Sequence, residues 1–170
     1  MKIFDSMKRQ AGRISGYALA LVAAVAVAAS AMANAGAMTD YLENALINHV
    51  FRATAYTAPA NIYVGLSTTA CSDSATGTEV TGGSYARVSV ATGTSTWAAT
   101  SGTNGTTSNS GAVNFATPSA GWGTVSYVVL YDALTSGNPM VCTALTTAKT
   151  INSGDTVSFP ASSLTFQVDN

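Results

Sequence analysis

The sequence predicts an all-β fold, an antiparallel β-sandwich of Ig-like or jelly-roll-like kind, preceded by one short amphipathic helix and an N-terminal hydrophobic leader. Three observations carry this expectation. Residues 121–133 are the longest β-forming run, apolar on both faces. The chain beyond Pro59 breaks into short segments, several alternating at a period of two residues. Between them lie clusters of Gly, Asn, Ser and Pro, the residues that turns require.

In the run 121–133, Val125, Tyr127, Val129 and Tyr131 share one face of an extended strand, while Val128 and Leu130 make the other face apolar. Such a strand needs cover on both faces, so it is expected at the centre of a packed sheet. Gly121 and Gly123 lead in, and residues 132–139 turn out. The other candidate strands are 61–67, 85–91, 95–99, 112–116, 139–145, 156–159 and 163–168, with the central one at 124–132. Ile62/Val64/Leu66, Ala86/Val88/Val90 and Leu164/Phe166/Val168 alternate with polar or small residues, which predicts one buried and one wet face per strand. Arg87 then falls on the wet face.

Ahead of the strands, Leu42, Ala45, Leu46, Ile47 and Val50 recur at helical spacing over 39–53, with Asp40 and Glu43 in the first turn, where a helix dipole favours acids. Two long Ser/Thr/Gly/Asn/Ala stretches, 68–78 and 100–110, read as loops.

The 170 residues suit one domain, 38–170, after a leader at 1–37. Lys8, Arg9 and Arg13 precede an apolar stretch at 17–29, followed by small residues that offer cleavage after Ala33, Ala35 or Ala37. That is the pattern of a secretory signal peptide. A membrane anchor is one alternative, although the apolar core is short for a bilayer of about 30 Å. The other is an upstream extension of the reading frame, with Met38 as the start.

Only 9% of residues are charged, against about 25% in an average soluble domain. The surface is expected to be neutral and rich in hydroxyls, as in extracellular and virion β-proteins. Beyond the leader, Arg52, Arg87 and Lys149 face seven acids, for a net charge of −4. With no basic cluster to neutralise phosphates, nucleic acid is not an expected partner.

Chemistry-bearing patterns are sparse. His49 is the single histidine, set on the predicted helix surface without a neighbouring ligand cluster, so no metal site is expected. There is no Gly-x-Ser-x-Gly elbow, no phosphate loop and no Gly-x-Gly-x-x-Gly. In Asp73-Ser74-Ala75-Thr76-Gly77-Thr78-Glu79 the oxygen ligands fall out of register for calcium. An acidic pair for glycoside hydrolysis would need Glu79 and Asp132 to meet in a cleft. The expectation is a non-enzyme without a cofactor. Cys71 and Cys142 are candidates for a disulfide if the chain is exported, and for free thiols if it stays in the cytoplasm. Trp97 and the loop residues Thr100, Asn104 and Thr106 are the candidate contacts to a receptor or partner, since tryptophan is favoured at binding hot spots. Trp122, between two glycines, reads as core.

Several of these segments resemble, in order, a family of small tailed-phage proteins usually labelled tail fibre proteins. They are Gly77-Thr78-Glu79-Val80-Thr81-Gly82-Gly83-Ser84-Tyr85-Ala86-Arg87-Val88, then Thr107-Ser108-Asn109, Gly121-Trp122-Gly123-Thr124-Val125 with Tyr131-Asp132, and Ala144-Leu145-Thr146-Thr147 with 149–155. The resemblance spans 38–168 and implies a non-enzymatic virion component that works by assembly with copies of itself, with other virion proteins, or with carbohydrate or protein on the host surface. A secreted or periplasmic adhesin-like module and a capsid decoration protein are the alternatives. The leader departs from the family pattern.

Overall fold

The computed structural model describes residues 37–100 and 105–167. Its elements, in chain order, are β1 (Ala37–Met38), α1 (Asp40–Arg52), β2 (Asn61–Ser67), β3 (Val88–Ala91), β4 (Thr107–Ser108), β5 (Val113–Asn114), β6 (Gly123–Tyr131), β7 (Pro139–Ile151), β8 (Ser158–Phe159) and β9 (Thr165–Phe166). Five strands form one antiparallel sheet in the order β1-β7-β6-β2-β3, while β4 pairs with β9 and β5 with β8. The described residues are mostly antiparallel β with one helix. Residues 1–36 of the leader, Asn104 and Val168 lie outside the described residues. Among those described, no helix is long and apolar enough to cross a membrane.

The apolar run is the middle strand of the five, and Val125, Val128, Val129, Leu130 and Tyr131 are all buried. Its two faces differ from the simple alternation. A bulge between Val125 and Tyr127 shifts the register, so Val125 joins Val128 and Leu130 on the main core, whereas Val129 and Tyr131 line the opposite face with Cys142. One extra residue in a strand reverses every side chain before it. On the main-core side, Phe115, Val157, Phe159, Leu164 and Phe166 from the β4/β9 and β5/β8 regions pack against Ile62, Val64, Leu66 and Leu130.

Strand β2 has the expected limits; the others moved. Residues 85–87 do not join β3, because the edge of β2 beyond Val64 is already satisfied. Leu66 N–H donates to the Tyr85 hydroxyl (2.8 Å), and Val80 N–H donates to the Leu66 carbonyl (2.9 Å). Residues 95–99 form no strand either. Thr96 and Trp97 N–H both reach back to Gly93 O, closing a turn. The supposed loop 100–110 contains β4, and Trp97 bridges Asn109 across a hairpin. Strand β7 runs on to Ile151, since its second half pairs with Gly123–Val125 at the start of β6. The remaining strands, β5, β8 and β9, keep two residues each of their expected spans.

Helix α1 starts and stops within a residue of expectation, with Thr39 at the position before its first turn and Ala53 closing it in the left-handed region. Thr39 is 2% exposed, and its hydroxyl donates to the Pro139 carbonyl, tying the helix start to β7 instead of capping it. Asp40 N–H donates to Asp73 O (3.0 Å), which seats the 68–78 segment on the same end. Leu42, Ala45 and Leu46 are half-buried, whereas Ile47 and Val50 face solvent.

Candidate interaction site

An ion pair with a buried arginine sits where the sequence places a wet face. The Arg87 side chain is 8% exposed and forms a two-point bond with Glu79, Nε to Oε1 and Nη2 to Oε2, each at 2.7 Å. Its third nitrogen, Nη1, donates to the carbonyls of Ala133 (2.8 Å) and Ser136 (2.7 Å). The guanidinium plane lies 3.3 Å from the Tyr131 ring centre. The period-two reading correctly places Val88 and Val90 toward the core. It fails for Arg87 because the 133–136 turn and Glu79 fold over that face and replace water donor for donor. Burial alone would lower the Arg87 pKa, but the hydrogen bonds and charge of Glu79 outweigh it and hold the guanidinium protonated. The net direction is upward. The Tyr85 hydroxyl donates to Glu79 Oε1 (3.0 Å). Burial pushes this phenol well above its ordinary range; the Leu66 N–H it accepts opposes the shift and the Glu79 charge adds to it.

These bonds occupy both oxygens of Glu79. Asp132 accepts from the backbone N–H (2.7 Å) and the side-chain amide (2.8 Å) of Asn138, closing the turn after β6. Each carboxylate of the pair considered for hydrolysis therefore holds a turn or an arginine. His49 is exposed on α1, where its Nδ1 accepts the Tyr56 N–H (3.3 Å). Among the described residues no three His, Cys, Asp or Glu side chains gather as a metal site.

The family-like segments meet one another at corners of the fold. The Gly83 carbonyl accepts from Trp122 Nε1 (2.9 Å) and Ser119 N–H (3.0 Å). A side chain at Gly83, whose φ is +54°, would meet the Ala120 carbonyl at 2.7 Å, so the corner needs glycine. Trp122 is 5% exposed, core as expected, and Gly154 N–H donates to Pro118 O (2.8 Å). Asn109, the last residue of the Thr107-Ser108-Asn109 segment, is fully buried. Its Nδ2 donates to Gly111 O (2.7 Å) and Pro160 O (2.8 Å), its Oδ1 accepts Leu164 N–H (2.8 Å), and its backbone carbonyl accepts Ser162 N–H (2.7 Å). This structural role was missed from sequence; a lone Asn between hydroxyl residues looks like loop.

At the end of the domain formed by the 93–110 hairpin, Trp97 is half-buried and tilts on Phe166, ring centres 6.1 Å apart. It walls an apolar cavity of about 290 Å³ with Met38, Leu42, Ile62, Leu130, Val141 and Phe166, and with Thr92, Gly105 and Thr107 among the remaining lining. Its Nε1–H is buried without a partner. Thr100 is exposed and Thr106 half-buried, both on the same hairpin.

Beneath the 68–78 segment, Cys71 and Cys142 come together, 6.3 Å between Cα atoms across 71 residues of sequence. That spacing is within disulfide reach. Tyr63, Tyr127, Val129 and Tyr131 pack around them. The segment is a stapled hairpin: Thr68 N–H donates to Thr78 O (2.9 Å), Thr78 N–H to Thr69 Oγ1 (2.8 Å), and Ser72 and Ala75 bond each other.

In this antiparallel β chain Glu79, Asp132 and Asp155 are engaged in an ion pair and in turns. The family described as Podophage GP4 fiber I protein gp80 matches residues 37–167, well over half the chain. The protein belongs to this phage fibre family, which gives it a structural role in a phage virion. No curated protein matches it.

Proposed function

We propose that the protein is a non-enzymatic tail-fibre or tail-associated subunit, in which 38–170 form a single two-layered sandwich that assembles into homo-oligomers and presents its hydroxyl-rich loops to a host surface. The observation that carries the reading is the family match over 37–167. The neutral surface and the engagement of Glu79, Arg87 and Asp132 in structural bonds support it. Copies arrayed on one particle would raise a weak affinity for carbohydrate or protein by avidity. The hairpin end bearing Trp97, Thr100 and Thr106 is the proposed contact. Mass spectrometry of purified virions tests the reading. Peptides from 38–167 are expected, with antibody labelling at the tail in electron micrographs; their absence from intact particles overturns the proposal, and labelling over the capsid moves the protein to a decoration role.

A second reading, a secreted or periplasmic adhesin-like module, rests on the juxtaposed Cys71 and Cys142 behind a signal-peptide-like leader. N-terminal sequencing of exported material is its test, with cleavage after Ala33, Ala35 or Ala37 as the expected result.

A further inference from the structure

Helix α1 has no fully buried residue, which leaves the hydrogen bonds of its first turn a large share in seating it. Two adjacent amides hold that turn from different sides. Thr39 N–H donates to Met140 O of β7 (3.1 Å), whereas Asp40 N–H donates to Asp73 O (3.0 Å) in the 68–78 hairpin. The Thr39 hydroxyl would ordinarily satisfy an orphan amide of the first turn. Here it is spent on carbonyls of β7 and makes no cap bond. The hairpin therefore supplies a cap from a remote part of the chain.

The part of the hairpin that does so is also the part joined to the sheet by the cysteine pair. The hairpin base is fixed by its own bonds, Thr68 N–H to Thr78 O and the Ser67 hydroxyl to the carbonyls of Thr69 and Thr78. Beyond it the chain turns through Ser72 and Ala75, and residues 72–75 are exposed. Cys71, two residues before Asp73, joins this tip to Cys142 of β7. Cys142 lies opposite Ala37 of β1, the strand that leads into the helix. The cysteine pair, the Asp73 carbonyl and the start of α1 thus form one corner.

We propose that the Cys71–Cys142 bond is a redox clasp: forming it fixes the hairpin tip beside the first turn of α1, and reducing it releases that end of the helix. Exposure sets the order of the chemistry. Cys71 is half-buried and Cys142 is 8% exposed, so a small-molecule disulfide meets Cys71 first. The Cys71 thiolate attacks it and one external sulfur leaves as a thiolate. The Cys142 thiolate then attacks the mixed disulfide at the Cys71 sulfur and expels the second. Two protein thiols are oxidised, one external disulfide is reduced to two thiols, and the two protons pass to them. A reducing cytoplasm keeps such a pair open and an oxidising medium closes it, so a chain made in the one and released into the other gains the clasp on the way. This inference does not depend on the attachment role proposed above.

Hydrogen exchange of the full-length protein, in glutathione disulfide or in dithiothreitol, tests it at short labelling times, when local openings are read. Reduction is expected to speed exchange at Asp40 about fivefold, the worth of a single hydrogen bond. Thr39, bonded to β7, and Thr68, at the hairpin base, are expected to stay protected. Cys142→Ser is expected to exchange like reduced wild-type protein and to ignore the reductant. Coupling is reciprocal. Asp40→Pro removes the donor at a first helical position, which accepts proline, and is expected to lower the ratio of bridged to reduced protein in a glutathione buffer by the same factor. Asp40→Asn keeps the N–H and is expected to leave that ratio unchanged. Equal exchange at Asp40 in the two redox states overturns the proposal. So does an equal rise at Thr39, Asp40 and Thr68, which would mean a general loosening, or a bridged fraction indifferent to Asp40→Pro.

Discussion

Arg87 engages both carboxylate oxygens of Glu79, two backbone carbonyls and the Tyr131 ring at once, and none of these partners is a neighbour in sequence. Its partners come from Glu79, from Tyr131 and from the turn at Ala133 and Ser136. A buried guanidinium is tolerable only when nearly all its donors are used, and here they are. Removing one member is expected to be costly because the other is left uncompensated. Arg87→Ala should lower stability by about 3 kcal/mol, measured by urea denaturation. Arg87→Met combined with Glu79→Gln should cost less than the sum of the two single changes. A loss under 0.5 kcal/mol for Arg87→Ala would mean that water replaces the side chain freely. The alternation of valines showed which way Val88 and Val90 face, but no local signal showed that the opposite side of Arg87 would be covered.

At the scale of elements, the short strands are held by side chains as much as by ladders. Strands β4, β5, β8 and β9 have two residues each, too few to persist as isolated pairs. Asn109 compensates by linking 109–111 to 160–164 with a single amide. Asn109→Ala would leave the buried Leu164 N–H without a partner and take the side-chain donor from Gly111 O, while Pro160 O keeps Ser163. At about 1–3 kcal/mol for an unsatisfied buried group, a loss of roughly 2 kcal/mol is expected. Hydrogen exchange should show it first at Ser162 and Leu164, and equal protection there in wild-type and variant protein would contradict the role assigned to Asn109. Helix α1 illustrates the other limit. Its extent followed from periodicity and from the acids of the first turn, yet the side that packs is Leu42/Ala45/Leu46, and Ile47, Val50 and Phe51 stay in water. Periodicity identifies an amphipathic helix without saying how much of its apolar arc the rest of the chain will cover.

For the whole molecule, a tie across 71 residues of sequence joins the 68–78 hairpin to β7 through Cys71 and Cys142. If the pair is oxidised, closing a loop of that length should stabilise the fold by about 4 kcal/mol through the entropy of the unfolded chain. Thermal unfolding with and without reductant measures it: oxidised protein is expected to melt well above Cys142→Ser, and reductant should shift only the wild-type protein. Two titratable thiols in protein purified from virions would exclude the bridge in the assembled particle. Tyr63, Tyr127 and Tyr131 pack the same face around these cysteines.

What the sequence by itself determined is local and periodic: an all-β chain after one helix, β6 as the middle strand, β2 to the residue, Trp122 in the core, and a phage fibre resemblance carried by separated segments. Those features depend on side-chain alternation, turn residues and composition, which are written along the chain. The tertiary structure alone decided that Arg87 is buried, that Val125 crosses to the main core at a bulge, that Asn109 holds the smaller ladders together, and that Trp97 walls an apolar cavity. Each of these depends on which distant segment covers which face, and covering is a property of packing between segments, where a one-residue bulge or a folded-over turn reverses what alternation alone implies.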